Sequence, residues 1–269
     1  KNMLRMGFMI SLSGLMTVGA SYIVRIFIGR TGGVEQVGLY TAGFAIINTY
    51  VGLIFTAMGT DYYPRLSAVA HDNSLSKQTM NQQAEIALLI LAPILIIFLV
   101  FINWVVVILY SEQFIAVNTM IYWAALGMFF KTASWAIGFI FLAKGASKIF
   151  FWNELVTNIL LLGLNILGYY YFGLTGLGLS FLLTYILYLI QVYIVAKIKF
   201  DFSYNRSFIK IFVVQFNLAV TSFLAVKFMS NPYPYFVGVI LIAISSWYSF
   251  KNLDKRLGLK ALLQNYLKK

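Results

Sequence analysis

Lys131 is the residue whose type and position ask most urgently for an explanation, since it lies near the middle of the apolar stretch from Thr119 to Ala143. A cation at such a depth costs about 2.5 to 3.5 kcal/mol on insertion scales, and a cost of that size is seldom left uncompensated. Gly127, Ser134 and Gly138 share its helical face at i−4, i+3 and i+7, which makes that face small and polar, suited to a cavity or to a close helix contact. The chemistry on offer is recognition of an anion. The alternative is a lysine paired with a carbonyl or carboxylate inside a helix bundle. Arg25 and Arg30 stand at the end of another apolar stretch. Arg30 can snorkel to headgroups, whereas Arg25, more than a turn deeper, is the candidate for facing an interior cavity.

Polar residues form stripes on two further apolar stretches. Glu154, Asn158 and Asn165 fall within about 40° of one another at 100° per residue, with Thr157 alongside. Ser180, Thr184, Tyr188 and Gln191 form a comparable stripe, and Asn48 is an isolated amide on a third stretch. Such residues either line a hydrophilic path or join helices through hydrogen bonds, and both uses remain open from the sequence.

A third cluster lies in Met58 to Asn73, where Asp61, Tyr62, Tyr63, Pro64, Arg65 and His71 follow an apolar run. Pro64 fits the first turn of a short interfacial helix capped by Asp61, and Asp72-Asn73-Ser74 reads as the end of that helix and the cap of the next. Asp61, Tyr63, Pro64 and Arg65 are therefore candidates for a hinge or gate, with a purely structural corner as the alternative reading. The lone His71 has no second histidine near it and the chain has no cysteine, so neither a metal site nor a thiol nucleophile is expected. No phosphate-binding glycine loop or nucleophile elbow is present. No cofactor and no enzymatic activity are expected.

The elements that must position these residues follow from composition. The chain is 61% hydrophobic and 10% charged, with a mean hydropathy of +0.84, far more apolar than a soluble domain. An all-α polytopic membrane protein is expected. About 20 apolar residues make one crossing, and eight candidates emerge: Leu4 to Gly29, Val37 to Gly59, Ala84 to Val107, Thr119 to Ala143, Ile149 to Phe172, Gly176 to Ile198, Phe208 to Met229 and Tyr235 to Phe250. Gly32-Gly33, Gly173 to Gly178 and Asn231 to Pro234 supply turns between them. Pro93 is expected to kink the third crossing.

With the N-terminus cytoplasmic, 16 of the 20 Lys and Arg fall on the cytoplasmic side, so both ends are expected there. The net charge of +12 sits in short loops between apolar runs rather than on one soluble face, which excludes nucleic acid as a partner. From Lys251 the chain reads as a basic amphipathic tail, residues 251–269, with Leu253, Leu257, Leu259, Leu262, Leu263 and Leu267 mostly on one face, resting on anionic inner-leaflet lipids. The first residue is Lys1, with no cleavage pattern after the first apolar run, and reads as a cut.

Thr31-Gly32-Gly33, Val37-Gly38-Leu39-Tyr40 and Tyr62-Tyr63-Pro64-Arg65-Leu66-Ser67 follow one another in the order in which they occur in Wzx-type oligosaccharide flippases. The chain thus resembles the C-terminal half of those members of the multidrug/oligosaccharidyl-lipid/polysaccharide exporter superfamily. The resemblance implies a V-shaped transporter of two six-helix lobes. Residues 1–200 would form the second lobe and 201–250 an additional helix pair, with the N-terminal lobe missing from this sequence. It also implies the activity: flipping an undecaprenyl-pyrophosphate-linked oligosaccharide across the bacterial inner membrane by alternating access, for surface polysaccharide or O-antigen assembly, alongside the polysaccharide polymerase machinery. Lys131 and Arg25 would then hold the anionic headgroup, and Asn48, Glu154, Asn158, Asn165, Thr184 and Gln191 would line the cavity. The alternatives are a cation-coupled multidrug exporter of the same superfamily, a membrane-embedded enzyme of glycan assembly, and a non-transporting scaffold.

Overall fold

The computed structural model describes residues 2–258. Hydrocarbon offers the backbone no hydrogen-bond partners, so apolar crossings must be helices. Helices account for nearly all of the described chain: α1 (Asn2–Ile46), a π-helical turn (Ile47–Val51), α2 (Gly52–Ala68), α3 (Asn73–Leu109), a 3-10 turn (Glu112–Val117), α4 (Asn118–Ala143), α5 (Ser147–Phe200), α6 (Arg206–Phe228) and α7 (Tyr233–Leu257). Six continuous helical stretches among the described residues are long and apolar enough to cross a membrane, but two of them, with 63 and 54 residues, are far too long for one crossing.

Each of the two long stretches folds back at a glycine. Gly33 has φ 85° and ψ 174°, and Gly173 has φ 57° and ψ −138°, conformations that side-chain-bearing residues avoid. Reversal is evident from contacts that a straight helix cannot make: Ser180 Oγ donates to the Leu164 carbonyl at 2.5 Å, and a Cβ on Gly29 would touch Val37. Gly168 and Gly176 bring the two arms of α5 to backbone contact, as small residues do in membrane helix pairs. The chain therefore makes eight crossings among the described residues, as hydropathy leads one to expect.

The helix α3 occupies the centre. It packs on α2, α4, α6 and α7, while α5 packs on α4 and α1. One end of the bundle is tied by polar contacts. Lys144 Nζ donates to the Ala70 carbonyl, Asn81 bonds both Ser203 and Asn205, and Arg256 pairs with Glu85 at 2.6 Å. This is the end at which the basic loops gather. Within the bundle, Gln215 of α6 is fully buried and bonds Ser245 and Ser249 of α7.

Three local expectations are corrected. Pro64 lies inside α2 rather than in the first turn of a new helix, and Asp61 is not a cap. The helix continues because Tyr62 and Leu66, one turn apart, are both fully buried, and Tyr62 donates to the Ala136 carbonyl of α4 at 2.6 Å. The corner comes later, at residues 69–72, where Asp72 accepts from the backbone N–H groups of Ser74 and Leu75 and caps α3 as expected. The last crossing does not stop at Phe250: α7 runs unbroken to Leu257, so the boundary at Lys251 falls inside a helix. Of the amphipathic tail, Leu259, Leu262, Leu263 and Leu267 lie outside the described residues. Pro93 sits inside α3, which runs as one helix from Asn73 to Leu109.

Candidate functional site: a cationic cavity in the bundle

Lys131 projects from α4 into a space walled by both arms of α1 and both arms of α5. The cavity measures about 590 Å³, and its lining includes Arg25, Tyr40, Asn48, Lys131, Asn165 and Tyr185. Arg25 and Lys131, far apart in sequence, thus meet at one cavity with no carboxylate among its described lining residues. The Lys131 ammonium lies 5.2 Å from the Tyr185 ring centre, 5.7 Å from Phe181 and 5.9 Å from Phe55. Rings at these distances offset part of the desolvation cost and leave the charge available. The Arg25 guanidinium lies over the Tyr22 ring, 5.6 Å from its centre.

Two atoms of the lining are unsatisfied. Arg25 Nε, a donor, and Asn165 Oδ1, an acceptor, are buried and have no hydrogen-bond partner among the described residues. Buried polar atoms of this kind are costly and call for an explanation. Here both belong to one cavity, which suits a ligand carrying anionic acceptors together with hydroxyl donors.

A second cavity of about 370 Å³ adjoins the first and shares Lys131 and Tyr185 with it. Its lining brings in Ser134, Gly138, Glu154, Thr157 and Tyr188, and Tyr188 donates to Glu154 Oε1 at 2.9 Å. The small face of α4 is therefore divided. Gly127 gives close contact with Phe181 and Leu182, whereas Ser134 and Gly138 open onto this second space.

Asn158, Thr184 and Gln191 do not join either cavity. Asn158 bonds the Glu154 carbonyl within its own helix, Thr184 bonds the Ser180 carbonyl and is almost fully buried, and Gln191 joins the arms of α5 by donating to Asn153 Oδ1 at 2.6 Å. Only Gln191 joins two helical arms; Asn158 and Thr184 satisfy their polar atoms within their own helix turns, because packing turns that part of each stripe away from both cavities. Tyr185 was not singled out from the sequence. Its signal was the i, i+4 pair with Phe181, whose rings both flank Lys131.

Asp61, Tyr63, Pro64 and Arg65 stand apart from the cationic cavity, at the basic end. Arg65 pairs with Asp61 at 2.8 Å and donates to Gln83 of α3 at 2.9 Å. Tyr63 lines a separate, largely apolar space with Trp135 and Phe139. The aromatic that fastens this corner is Tyr62, buried and bonded to α4, rather than Tyr63.

Eight helical crossings among the described residues, with a cationic cavity between them, define a polytopic, all-α membrane protein. The model for the family described as polysaccharide biosynthesis protein matches residues 1–119. The chain is also similar to a solved structure described as lipid II flippase MurJ in an inward closed conformation, with a TM-score of 0.70 at 13% identity over 91% of this chain. The match covers 53% of that structure, so the chain spans about half its length. No curated protein sequence matches. The resemblance to Wzx-type flippases drawn from the sequence motifs agrees with both findings.

Proposed function

We propose that this chain is one half of a flippase that moves an undecaprenyl-pyrophosphate-linked oligosaccharide across the bacterial inner membrane, for surface polysaccharide or O-antigen assembly. Residues 1–200 act as one lobe, 201–250 as the accompanying helix pair, and a facing lobe supplies the opposite wall. Both chain ends face the cytoplasm. The observation that carries the reading is the shared cavity of Arg25 and Lys131, which among the described residues has no carboxylate in its lining and leaves Arg25 Nε and Asn165 Oδ1 unsatisfied. A pyrophosphate provides acceptors for both cations, and sugar hydroxyls suit Asn48 and Asn165. Movement of one lobe against the other would expose such a site to each side in turn. The solved neighbour, a lipid II flippase, is consistent with this class of cargo.

The test uses the full-length protein in liposomes containing a fluorescent polyprenyl-pyrophosphate oligosaccharide. Arg25→Ala and Lys131→Ala should each cut translocation at least tenfold without lowering the amount of folded protein. Unchanged rates in both variants would remove the cavity from the mechanism.

A cation-coupled exporter is the second reading, and one observation favours it: Glu154 shares a cavity with Lys131. Dye efflux that depends on a proton gradient and is lost in Glu154→Gln, with no movement of lipid-linked sugar, would select it.

A further inference from the structure

At the basic end of the bundle a separate pocket of about 270 Å³ opens between the start of α6 and the end of α7. Lys210, Lys251 and Lys255 line it, and no carboxylate is among its described lining residues. Ser207, Trp247 and Tyr248 complete the polar and aromatic wall. The Lys251 ammonium lies 4.9 Å from the centre of the Trp247 ring, so the indole orients one of the three charges. Arg256 stands on the next face and is already committed to Glu85, Ser207 and the Asn252 carbonyl. Those contacts hold the pocket's edge in place beside the three lysines that line it.

We propose that this pocket binds the phosphodiester headgroup of an anionic phospholipid. Both helices leave the pocket as membrane crossings with exposed apolar stripes: Ile209 and Val213 on α6, and Trp247, Ile244, Ile240 and Phe236 on α7, of which Trp247 is 62% exposed. A soluble phosphate would answer the lysines and leave these stripes uncovered. A phospholipid answers both, with phosphate among the lysines and acyl chains along the helices. Basic pockets between membrane helices are a recognised headgroup environment. The site is distinct from the cavity at Lys131 and its occupant need not be transported, so the inference does not depend on the flippase reading.

The experiment is native mass spectrometry of the purified full-length protein titrated with phosphatidylglycerol or phosphatidylcholine. Wild type should retain phosphatidylglycerol in preference. The triple variant Lys210→Gln, Lys251→Gln, Lys255→Gln should lose that preference at least tenfold, since each lysine near an anionic headgroup is worth roughly a fivefold factor. The corresponding Lys→Arg triple should keep it. A control triple at the same end of the bundle, Lys148→Gln, Lys197→Gln, Lys199→Gln, should stay within twofold of wild type. Equal losses in the two Gln triples would replace a defined site with diffuse attraction and overturn the proposal. So would displacement of the lipid by millimolar inorganic phosphate, which would mark a soluble-anion site. All three lysines are exposed and folding is checked by thermal unfolding. The single variants Lys210→Gln and Lys255→Gln give the same reading in smaller steps.

Discussion

Arg256, in the last turn of α7, reaches Glu85 of α3 with its guanidinium 2.6 Å from the carboxylate, joining residues 171 positions apart in sequence. The glutamate side chain is only 6% exposed. The pair fastens the final helix to the central one, at the end where the basic loops converge. Removing one partner of a buried pair strands the other charge, a loss of about 3 to 5 kcal/mol when both are fully buried. Arg256 is partly exposed, so Arg256→Gln should cost about 2 to 3 kcal/mol. The double variant Glu85→Gln, Arg256→Gln should recover more than half of that. Thermal unfolding in detergent measures the cycle, and strictly additive losses would mean that the two charges are not coupled.

Lys131→Met should make the protein more stable and less active. The substitution removes an insertion cost of about 2.5 to 3.5 kcal/mol and gives up ring contacts worth about 1 to 2 kcal/mol, a net gain on the order of 1 kcal/mol. A rise in unfolding temperature with lost translocation is the expected pair of results. A drop in stability would instead identify Lys131 as a structural group.

Tyr62→Phe leaves the ring in place and removes the donor to the Ala136 carbonyl, so about 1 kcal/mol of stability should be lost. Tyr63→Phe should be silent, because no hydrogen bond joins its hydroxyl to the described residues. A larger effect at position 63 than at 62 would reverse this assignment of the corner.

Gly176→Ala should sharply reduce the yield of folded protein, since a Cβ there would strike the backbone of Gly168 and neither chain can yield without parting the arms of α5. Gly163→Ala, where the added carbon meets nothing within 4 Å, is the matched control and should express normally. Similar yields from the two would show that the arms do not pack at backbone contact.

The Asp72 carboxyl is held below its ordinary value, chiefly by the backbone N–H of Leu75 and then that of Ser74, both donating to it. A lowered folded-state value means that its stabilising effect is present above the unfolded value of about 3.9 and fades as pH falls through the folded one. Asn caps a helix but does not titrate in this range. The unfolding temperature of Asp72→Asn should therefore depend less on pH below about 4 than that of wild type, and identical pH profiles would exclude this contribution.

The crossings were legible because a membrane leaves an apolar run almost no choice but helix, and because turn glycines and basic loops mark where each run ends. The turns at Gly33 and Gly173, the cap at Asp72 and the gathering of Lys and Arg at one end all rest on local chemistry. Helix rotation does not. Glu154, Asn158 and Asn165 lie on one narrow stripe, yet Asn165 opens onto the first cavity, Glu154 onto the second, and Asn158 bonds back to its own helix. Which way each stripe faces is set by packing against helices distant in sequence. For the same reason Tyr62 rather than Tyr63 anchors the corner, and α2 runs through Pro64 because Tyr62 and Leu66 are buried together. The sequence by itself determined how many times the chain crosses and where its charges lie; only the tertiary structure decided that Arg25 and Lys131 meet at one cavity and that Glu85 is held by Arg256.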